Sequence, residues 1–364
     1  MPKFFSVFFL FFLCSSSFSQ ILEGSVYSKI TQLPLAAATV YLDGTTISTL
    51  TDENGYFKLN AKGNSKPDLV ISYVGYVTSR INNPFQFKKI KTYIEEDAIG
   101  IDEVFIGKGP FTQKEMLKAF KHHFLGSSKA ASSCKIENED DLYFFFDVET
   151  NILTASSQNP LKITNDYLGY EINFELIDFE VKYSYRTLNY KAEKGSSFAG
   201  TTFFKDIAKS AKVLKRREDA YLGSSTHFIN SLANNTLEND RYRIIVDKFQ
   251  INPAVYFGVT DTLGVKKIKV LKEPMIRVPK PPDHIGSATI VLQKEEFTEV
   301  RDFFHIYYAD GIQSFANFTS KEYVVDENGN YYPYHGIMFG GYIGNLRAGD
   351  MLPTDYKQLK KENP

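Results

Sequence analysis

The hydroxyl and imidazole groups of Ser224, Ser225 and His227 lie within four residues of one another. Residues three apart share one face of a helix, so Ser224 and His227 are close enough to touch. A serine nucleophile needs such a base, together with an oxyanion site. A hydrolase that uses Ser224 or Ser225 with His227 is therefore one hypothesis for the function. The interpretation that we favour is that Ser224 caps a helix while His227 packs against its neighbours.

The six histidines do not follow a zinc-peptidase pattern. Such enzymes combine two histidines with a carboxylate at fixed spacing, and no histidine here is followed by glutamate at the next position or three positions later. The adjacent His122 and His123 point to different faces of a helix. The Gly-x-Ser-x-Gly elbow of serine hydrolases is also missing. We therefore predict no metal, no cofactor and no catalytic residue.

Two further groups of residues suit binding. Basic residues recur at helical spacing from Lys205 to Arg217. The interpretation that we favour is a helix face exposed to solvent. The alternative is a binding site for an acidic glycan or a lipid headgroup. Tyrosines near the end of the chain are able to stack on sugar rings, although packing explains most such clusters. This second cluster consists of Tyr331, Tyr332, Tyr334, His335 and Tyr342. The candidate binding surface that we select consists of Arg217, Tyr221, Ser224, His227, Tyr332 and Tyr334.

Charge and composition limit the kind of partner. The 364 residues include 42 basic and 43 acidic side chains, for a net charge of -1. This balance gives no general attraction to nucleic acid, so we expect no nucleic-acid partner. Hydrophobic residues make up 43% of the chain, which is enough for a sizeable core, and 31 Phe with 23 Tyr favour β structure.

Residues 1–20 have the pattern of a secretory signal peptide. Lys3 supplies the positive start, residues 4–13 are almost wholly apolar, and small polar residues follow as far as Gln20. This apolar run is too short to span a bilayer core of roughly 30 Å. The residues before Cys14 do not resemble a lipobox. We therefore expect export without a lipid anchor, to the periplasm or the periphery of the outer membrane, and a mature chain whose lone Cys134 cannot form an internal disulfide.

Short strands separated by turns are predicted from residue 21 to about residue 107. Apolar residues alternate within them, so one face packs on a core while the other meets water. Asn54-Gly55 predicts a type I′ hairpin turn, which needs positive φ at both central positions. The strand candidates are residues 24–28, 39–42, 56–59, 69–73 and 76–81. This pattern is typical of a β-sandwich.

Four segments of this region resemble the carboxypeptidase regulatory-like domain, with the same order and spacing. They are Gly24-Ser25-Val26, residues 34–42 beginning Pro34-Leu35, residues 51–57 (Thr-Asp-Glu-Asn-Gly-Tyr-Phe), and Ser72-Tyr73-Val74-Gly75-Tyr76. The resemblance implies a transthyretin-like (prealbumin-like) sandwich of seven strands without catalytic residues. Residues 101–106 are similar to the segment that links this domain to the plug of glycan-import receptors, but we favour a last strand of the sandwich there.

The remaining chain predicts a mixed α+β domain of unknown function, or two small domains whose boundary the sequence does not reveal. Helices are expected at 113–124 after a Thr112 cap, at 205–221, and at 224–232 after a stop at Gly223. Strands are expected at 143–148, 170–177, 181–192, 267–271, 288–292, 303–308 and 322–325, with a hairpin turn at 326–330. The predicted order is signal peptide 1–20, sandwich 21–107, linker 108–112 and α+β domain 113–364. Residues 161–171, 217–228 and 336–356 resemble uncharacterised companions of the regulatory-like domain in bacterial envelope proteins.

The leading hypothesis is a non-enzymatic envelope protein that binds or scaffolds a protein or polysaccharide partner through its sandwich or its C-terminal domain. The hydrolase described above is one alternative. A small outer-membrane β-barrel is another, although the helices predicted at 113–124 and 205–232 interrupt the strand series that it requires. The sequence predicts no oligomeric state.

Overall fold

The computed structural model describes residues 19–62, 66–97, 109–262, 264–279 and 297–358. The apolar run of the predicted signal peptide, residues 101–106 and the predicted strand at 288–292 lie outside the described residues. Buried apolar side chains form three separate cores, and each core draws on one stretch of the sequence almost exclusively.

The first core lies inside a two-sheet sandwich. Leu22, Val26, Val40 and Leu42 point into it, which is the predicted alternation along strands with one buried face. One sheet has the order β4-β1-β7, with β1 and β7 parallel, and the other has the order β3-β2-β5-β6. The strands are β1 Ser19–Ser28, β2 Thr39–Leu42, β3 Ser48–Leu50, β4 Tyr56–Lys62, β5 Leu69–Ser72, β6 Ser79–Ile81 and β7 Ile90–Ile94. The predicted seven-stranded sandwich is confirmed.

The turn at Asn54-Gly55 differs from its prediction. Only Gly55 has positive φ, at 70°, so the type I′ assignment is wrong. The turn joins β3 of one sheet to β4 of the other, and Asp52 organises it by accepting the N–H groups of Asn54 and Tyr56, each at 2.9 Å. A Cβ atom on Gly55 would lie 2.5 Å from the Val26 carbonyl oxygen, so close packing as well as conformation requires glycine here.

The second core lies between one long sheet and α1. Helix α1 begins as predicted, because Thr112 and Glu115 form a capping box, and it buries Met116, Phe120 and Phe124. The sheet order is β8-β11-β12-β10-β9, with β13 along the other edge of β12. The elements are α1 Gln113–Leu125, α2 Lys129–Ser132, β8 Cys134–Ile136, β9 Leu142–Asp147, β10 Ile152–Ser157, β11 Leu161–Asn165, β12 Tyr170–Tyr183, β13 Glu193–Asp206 and α3 Ala211–Tyr221.

Two predicted boundaries in this core are wrong. Strand β12 runs unbroken for 14 residues where two strands were predicted. A bulge-like irregularity between Leu176 and Asp178 leaves Ile177 64% exposed, which interrupts the apolar pattern in the sequence. The pairing with β13 nevertheless continues on both sides of it. The helix predicted from residue 205 begins only after Ser210, whose hydroxyl accepts the N–H of Val213. Residues 205 and 206 belong to β13 instead.

The third core follows Gly223, which ends α3 at φ 84° as predicted. Helix α4 begins after Ser224 and covers two sheets, of order β15-β14-β20-β21-β24 and β16-β17-β22-β23, while β18 and β19 form a separate ribbon. The elements are α4 Ser225–Ala233, β14 Tyr242–Val246, β15 Phe249–Gln250, α5 Pro253–Tyr256, β16 Phe257–Thr262, β17 Val265–Val270, β18 Met275–Pro279, β19 Phe297–Arg301, β20 Phe304–Tyr308, β21 Ile312–Phe318, β22 Glu322–Val325, β23 Tyr331–Tyr332, β24 Ile337–Gly340 and α6 Gly341–Asn345. The region predicted as one α+β domain or two small ones thus contains two hydrophobic cores.

After α6 the chain returns to the second core and the sandwich. We call residues 346–358 the strap. Its Ala348 belongs to the second core, and Met351 and Leu352 pack against that core. Among the described residues, no helix is both long and apolar enough to cross a membrane.

Candidate binding sites

The sandwich docks on the C-terminal part through its β2–β3 turn. The Gly44 N–H donates to the Thr202 carbonyl oxygen at 2.7 Å, and the Phe204 N–H donates to the Thr45 carbonyl oxygen at 3.0 Å. These bonds attach the turn to the edge of β13 as a short parallel bridge. Backbone pairing of this kind fixes the position of one module against the other.

Side chains extend this junction. The Tyr41 hydroxyl lies 3.1 Å from the Thr201 hydroxyl, and the Asp43 carboxylate accepts the Thr202 N–H at 2.8 Å. Burial raises the pKa of Asp43, while its bond from Thr202 and the nearby Arg80 act in the opposite direction. Arg80 also donates to Asp68 at 2.8 Å, so these charged groups pair beside the junction.

The strap holds the other side of the same turn. The Thr354 N–H donates to the Gly44 carbonyl oxygen at 2.7 Å. The Asp355 carboxylate accepts both the backbone N–H of Thr46, at 3.0 Å, and its hydroxyl, at 2.6 Å. The turn is thus clamped between β13 and a segment from the far end of the described chain.

We expect Asp355→Ala to lower the free energy of unfolding by about 1–2 kcal/mol, because it removes two hydrogen bonds to a carboxylate. The midpoint of urea denaturation measures this change. Asp310→Ala is the matched control, since Asp310 is 96% exposed and its ion pair is with the exposed Arg241. Equal midpoint shifts in the two variants would contradict a stabilising role for the clamp.

Tyr332 and Tyr334 form an exposed aromatic pair beside the sandwich. Their side chains are 65% and 60% exposed, and their ring centroids lie 5.7 Å apart with planes at 90°. Tyr331 points to the opposite side and packs against Tyr323 of the third core, as alternation along a strand requires. Partial burial of Tyr334 is the main cause that raises its pKa, and the negative charges of Asp68 and Asp43 in the sandwich add to this effect. The pair therefore lies where the sandwich and the C-terminal part meet.

Arg217 was predicted on a binding surface, and that prediction is wrong because its side chain is buried. The guanidinium packs over the Tyr170 ring at 3.8 Å. It donates to the backbone carbonyls of Leu168, Gly169 and Ala208 and to both carboxylate oxygens of Asp206, over 2.7–3.2 Å. Burial alone would raise the pKa of Asp206, but the bonds and charge of Arg217 hold it below its ordinary value.

His227 is also buried, so it too is not part of an exposed surface. Its Nδ1 accepts the Gly223 N–H at 3.1 Å and lies 3.0 Å from the Tyr242 hydroxyl. Ser224 caps α4 by accepting the His227 N–H at 3.2 Å, which is the capping role that we favoured. Burial lowers the pKa of His227. Among the described residues, no hydrogen bond joins this imidazole to the hydroxyl of Ser224 or Ser225, so the structure does not pair them as nucleophile and base.

Tyr221 and Ser224 line a cavity of about 300 Å³ between the second and third cores. The α3–α4 junction forms one wall, the turn at 326–330 another, and the strap closes the third. Tyr221 and Ser224 thus face this cavity, whereas Tyr332 and Tyr334 lie on the surface near the sandwich. Tyr221 is buried like Arg217 and His227, so its predicted place on an exposed surface is also wrong, and the predicted residues do not form one surface.

The buried His123 forms a hydrogen-bonded chain that we did not predict. Its Nδ1 lies 3.2 Å from the Glu193 carboxylate, and its Nε2 lies 3.1 Å from the Tyr183 hydroxyl. The signal for it was present, because His123 follows Phe120 by three positions and so shares the buried face of α1. The described residues contain no group of three or more His, Cys, Asp or Glu placed to hold a metal ion.

Two solved structures show partial similarity to the chain. One is the crystal structure of a type II cohesin–X-dockerin complex from Acetivibrio cellulolyticus, an interface mutant, with 26% identity over 20% of this chain and 51% of that chain and a TM-score of 0.18. The other is a 9R-lipoxygenase from Cyanothece PCC8801, with 8% identity over 59% of this chain and 48% of that chain and a TM-score of 0.17. This chain thus matches about half of each, and TM-scores this low carry no argument.

The curated proteins contain no match to the chain. The family model described as the CarboxypepD_reg-like domain matches residues 22–106. These residues include all seven strands of the sandwich, apart from the first residues of β1. The N-terminal sandwich is therefore a CarboxypepD_reg-like domain, and it is joined to a larger C-terminal part that this family model does not cover.

Proposed function

We propose that the chain is a non-enzymatic binding or scaffolding protein of the cell envelope. Its partner is a protein or a polysaccharide, and the contact surface is shared by the CarboxypepD_reg-like domain and the C-terminal part. Domains of this family are regulatory rather than catalytic. The signal-peptide pattern at residues 1–20 supports a site of action in the periplasm or at the periphery of the outer membrane.

The observation that carries the proposal is the exposed pair Tyr332 and Tyr334 at the module junction. Tyrosine combines a large apolar face with a hydroxyl and loses little entropy when it is fixed, so it is enriched in contact surfaces for proteins and sugars. Because the β2–β3 turn is clamped from two sides, the sandwich keeps a fixed position against this pair. A partner is thus able to touch both modules at once.

A pull-down from envelope extract with the chain from residue 21 onward tests this surface. We expect the double variant Tyr332→Ala, Tyr334→Ala to retain about tenfold less partner than the unmodified chain, which corresponds to the loss of an aromatic contact centre. The matched control is Tyr185→Ala with Phe249→Ala, two aromatic side chains that are 59% and 72% exposed elsewhere.

The same experiment identifies the class of partner. Retention that survives protease treatment of the extract indicates a polysaccharide, and retention that is lost indicates a protein. Equal retention by the Tyr332/Tyr334 variant and the control variant would refute the proposed surface. Export is tested separately, by sequencing the N-terminus of the protein recovered from cells, which we expect to follow Gln20.

A further inference from the structure

The cavity under the strap lies next to a second cavity. The first has a volume of about 300 Å³ and the second about 270 Å³. Tyr221, Asn328 and Tyr356 line both, so the two cavities lie side by side and share a wall. Each volume is near the lower end of the range for small-molecule sites, roughly 300–1,000 Å³. The pair therefore suits a ligand made of two small linked units.

Four polar side chains of the first cavity have no partner within the described residues. They are the hydroxyls of Ser225, Thr226 and Thr354 and the amide of Asn328, all half-buried. Other polar groups in the lining are already bonded: the Asn330 amide donates to the Thr354 carbonyl oxygen at 2.8 Å, and the Tyr356 hydroxyl donates to Glu218 at 3.1 Å. Half-buried polar groups without a protein partner are the ones that a ligand is able to satisfy.

The charged groups of both cavities are engaged with other groups. Arg347 donates to Ser196 at 3.0 Å and lies 4.0 Å from Glu193. The Asp350 carboxylate accepts the Arg347 backbone N–H at 3.2 Å. In the second cavity, Lys357 lies 3.4 Å from Glu327. Since each charge has its own partner, the lining offers neutral hydroxyl and amide groups and does not select for an anion or a cation.

The other side of the first cavity is apolar. Tyr221 and Tyr356, with ring centroids 5.7 Å apart, border both cavities, and Phe198, Met351 and Leu352 add aromatic and aliphatic surface. A sugar ring presents C–H faces, which pack on such surface, and hydroxyls, which both donate and accept hydrogen bonds. Serine and threonine hydroxyls and an asparagine amide match those hydroxyls in either direction.

We propose that the two cavities are adjoining subsites for a neutral oligosaccharide, with one sugar unit in each. Ser225, Thr226 and Asn328 bind the hydroxyls of the first unit, and the rings of Tyr221 and Tyr356 separate the two units. This inference rests on the proposed binding function and names a polysaccharide as the source of the ligand. It uses residues other than the Tyr332/Tyr334 pair, so the two proposals are able to fail separately.

Saturation-transfer difference NMR with the chain from residue 21 onward tests the subsites. The probes are maltose, cellobiose, lactose and N,N′-diacetylchitobiose at millimolar concentration, with glucose 6-phosphate and galacturonic acid as anionic comparisons. We expect at least one neutral disaccharide to bind and both anionic probes to bind more weakly. Thr226→Val and Asn328→Ala are each expected to weaken binding about tenfold, the effect of one lost hydrogen bond in a binding site.

Thr260→Val is the matched control, because Thr260 is exposed on β16 and does not line either cavity. Far-UV circular dichroism establishes that each variant is folded. Three results would overturn the proposal: no neutral disaccharide binds, the anionic probes bind more tightly, or Thr226→Val and Asn328→Ala bind as Thr260→Val does. Unchanged disaccharide binding in the Tyr332/Tyr334 variant, together with normal partner retention, would refute the proposed surface and leave the subsites in place.

Discussion

Replacing Arg217 by methionine is expected to lower the free energy of unfolding by about 3–5 kcal/mol, the cost of removing one partner from a buried charged pair. Methionine has a similar length and is apolar, so the cavity that it leaves is small. The loss of stability arises instead because the groups that accept hydrogen bonds from Arg217 are left without a donor. The Asp206 carboxylate loses both of its bonds to the guanidinium, and three backbone carbonyl groups lose a donor.

Arg217→Lys separates geometry from charge. A lysine ammonium keeps the charge but is a compact donor that cannot reproduce the planar fork of the guanidinium. Lysine also packs less well over the Tyr170 ring, whose centroid lies 3.8 Å from the guanidinium carbon of Arg217 in the unmodified protein. We therefore expect an intermediate loss of stability in this variant.

Lys215→Met is the control for the Arg217 variants, because Lys215 is exposed on the same helix. Its effect is expected to stay within about 0.5 kcal/mol. Urea denaturation followed by far-UV circular dichroism measures all three variants. The structural role of Arg217 would be disproved by a Met variant that is no less stable than Lys215→Met.

Local signals in the sequence were enough to predict the sandwich and the starts of α1 and α4. Apolar alternation identified β4, because a strand with one buried face repeats every two residues. Thr112 and Ser224 cap their helices as predicted, since capping depends on side chains and N–H groups only three residues apart. These features were predictable because each depends on neighbours in the sequence.

The candidate sites depend on contacts between distant residues, which local patterns do not encode. Arg217 looks like part of a basic helix face, yet carbonyl groups almost 50 residues earlier surround its guanidinium. The cavity brings Ser225 together with Asn328 and Leu352, each more than 100 residues away. The strap reaches Thr46 of the sandwich from Asp355. Spacing along the chain suggested Ser224 with His227, whereas the fold pairs His227 with Tyr242.

Acidification is expected to destabilise the protein through His123. Burial lowers the pKa of His123 from 6.5 to about 4, although the Glu193 carboxylate acts in the opposite direction. The neutral ring is consistent with its contacts: Nδ1–H donates to Glu193, and Nε2 accepts the Tyr183 hydroxyl. Protonation would place a proton on Nε2, and the Tyr183 hydroxyl could then no longer donate to it.

The direction of the effect follows from proton binding. Between the folded pKa of about 4 and the unfolded pKa of 6.5, the unfolded chain binds more protons than the folded one at this site. The contribution of His123 is therefore complete above pH 6.5 and is lost as the pH falls towards 4. The slope reaches at most about 1.4 kcal/mol per pH unit for one proton.

The comparison of wild type with His123→Gln isolates this residue from other groups that titrate in the same range. Among them are Asp43 and Asp350, whose pKa values burial raises. Between pH 7 and pH 4.5, urea denaturation should show the stability of the wild type falling more steeply than that of His123→Gln. His335→Gln, at an exposed position, should follow the wild type. Parallel curves for wild type and His123→Gln would mean that the buried imidazole does not determine the sensitivity to acid.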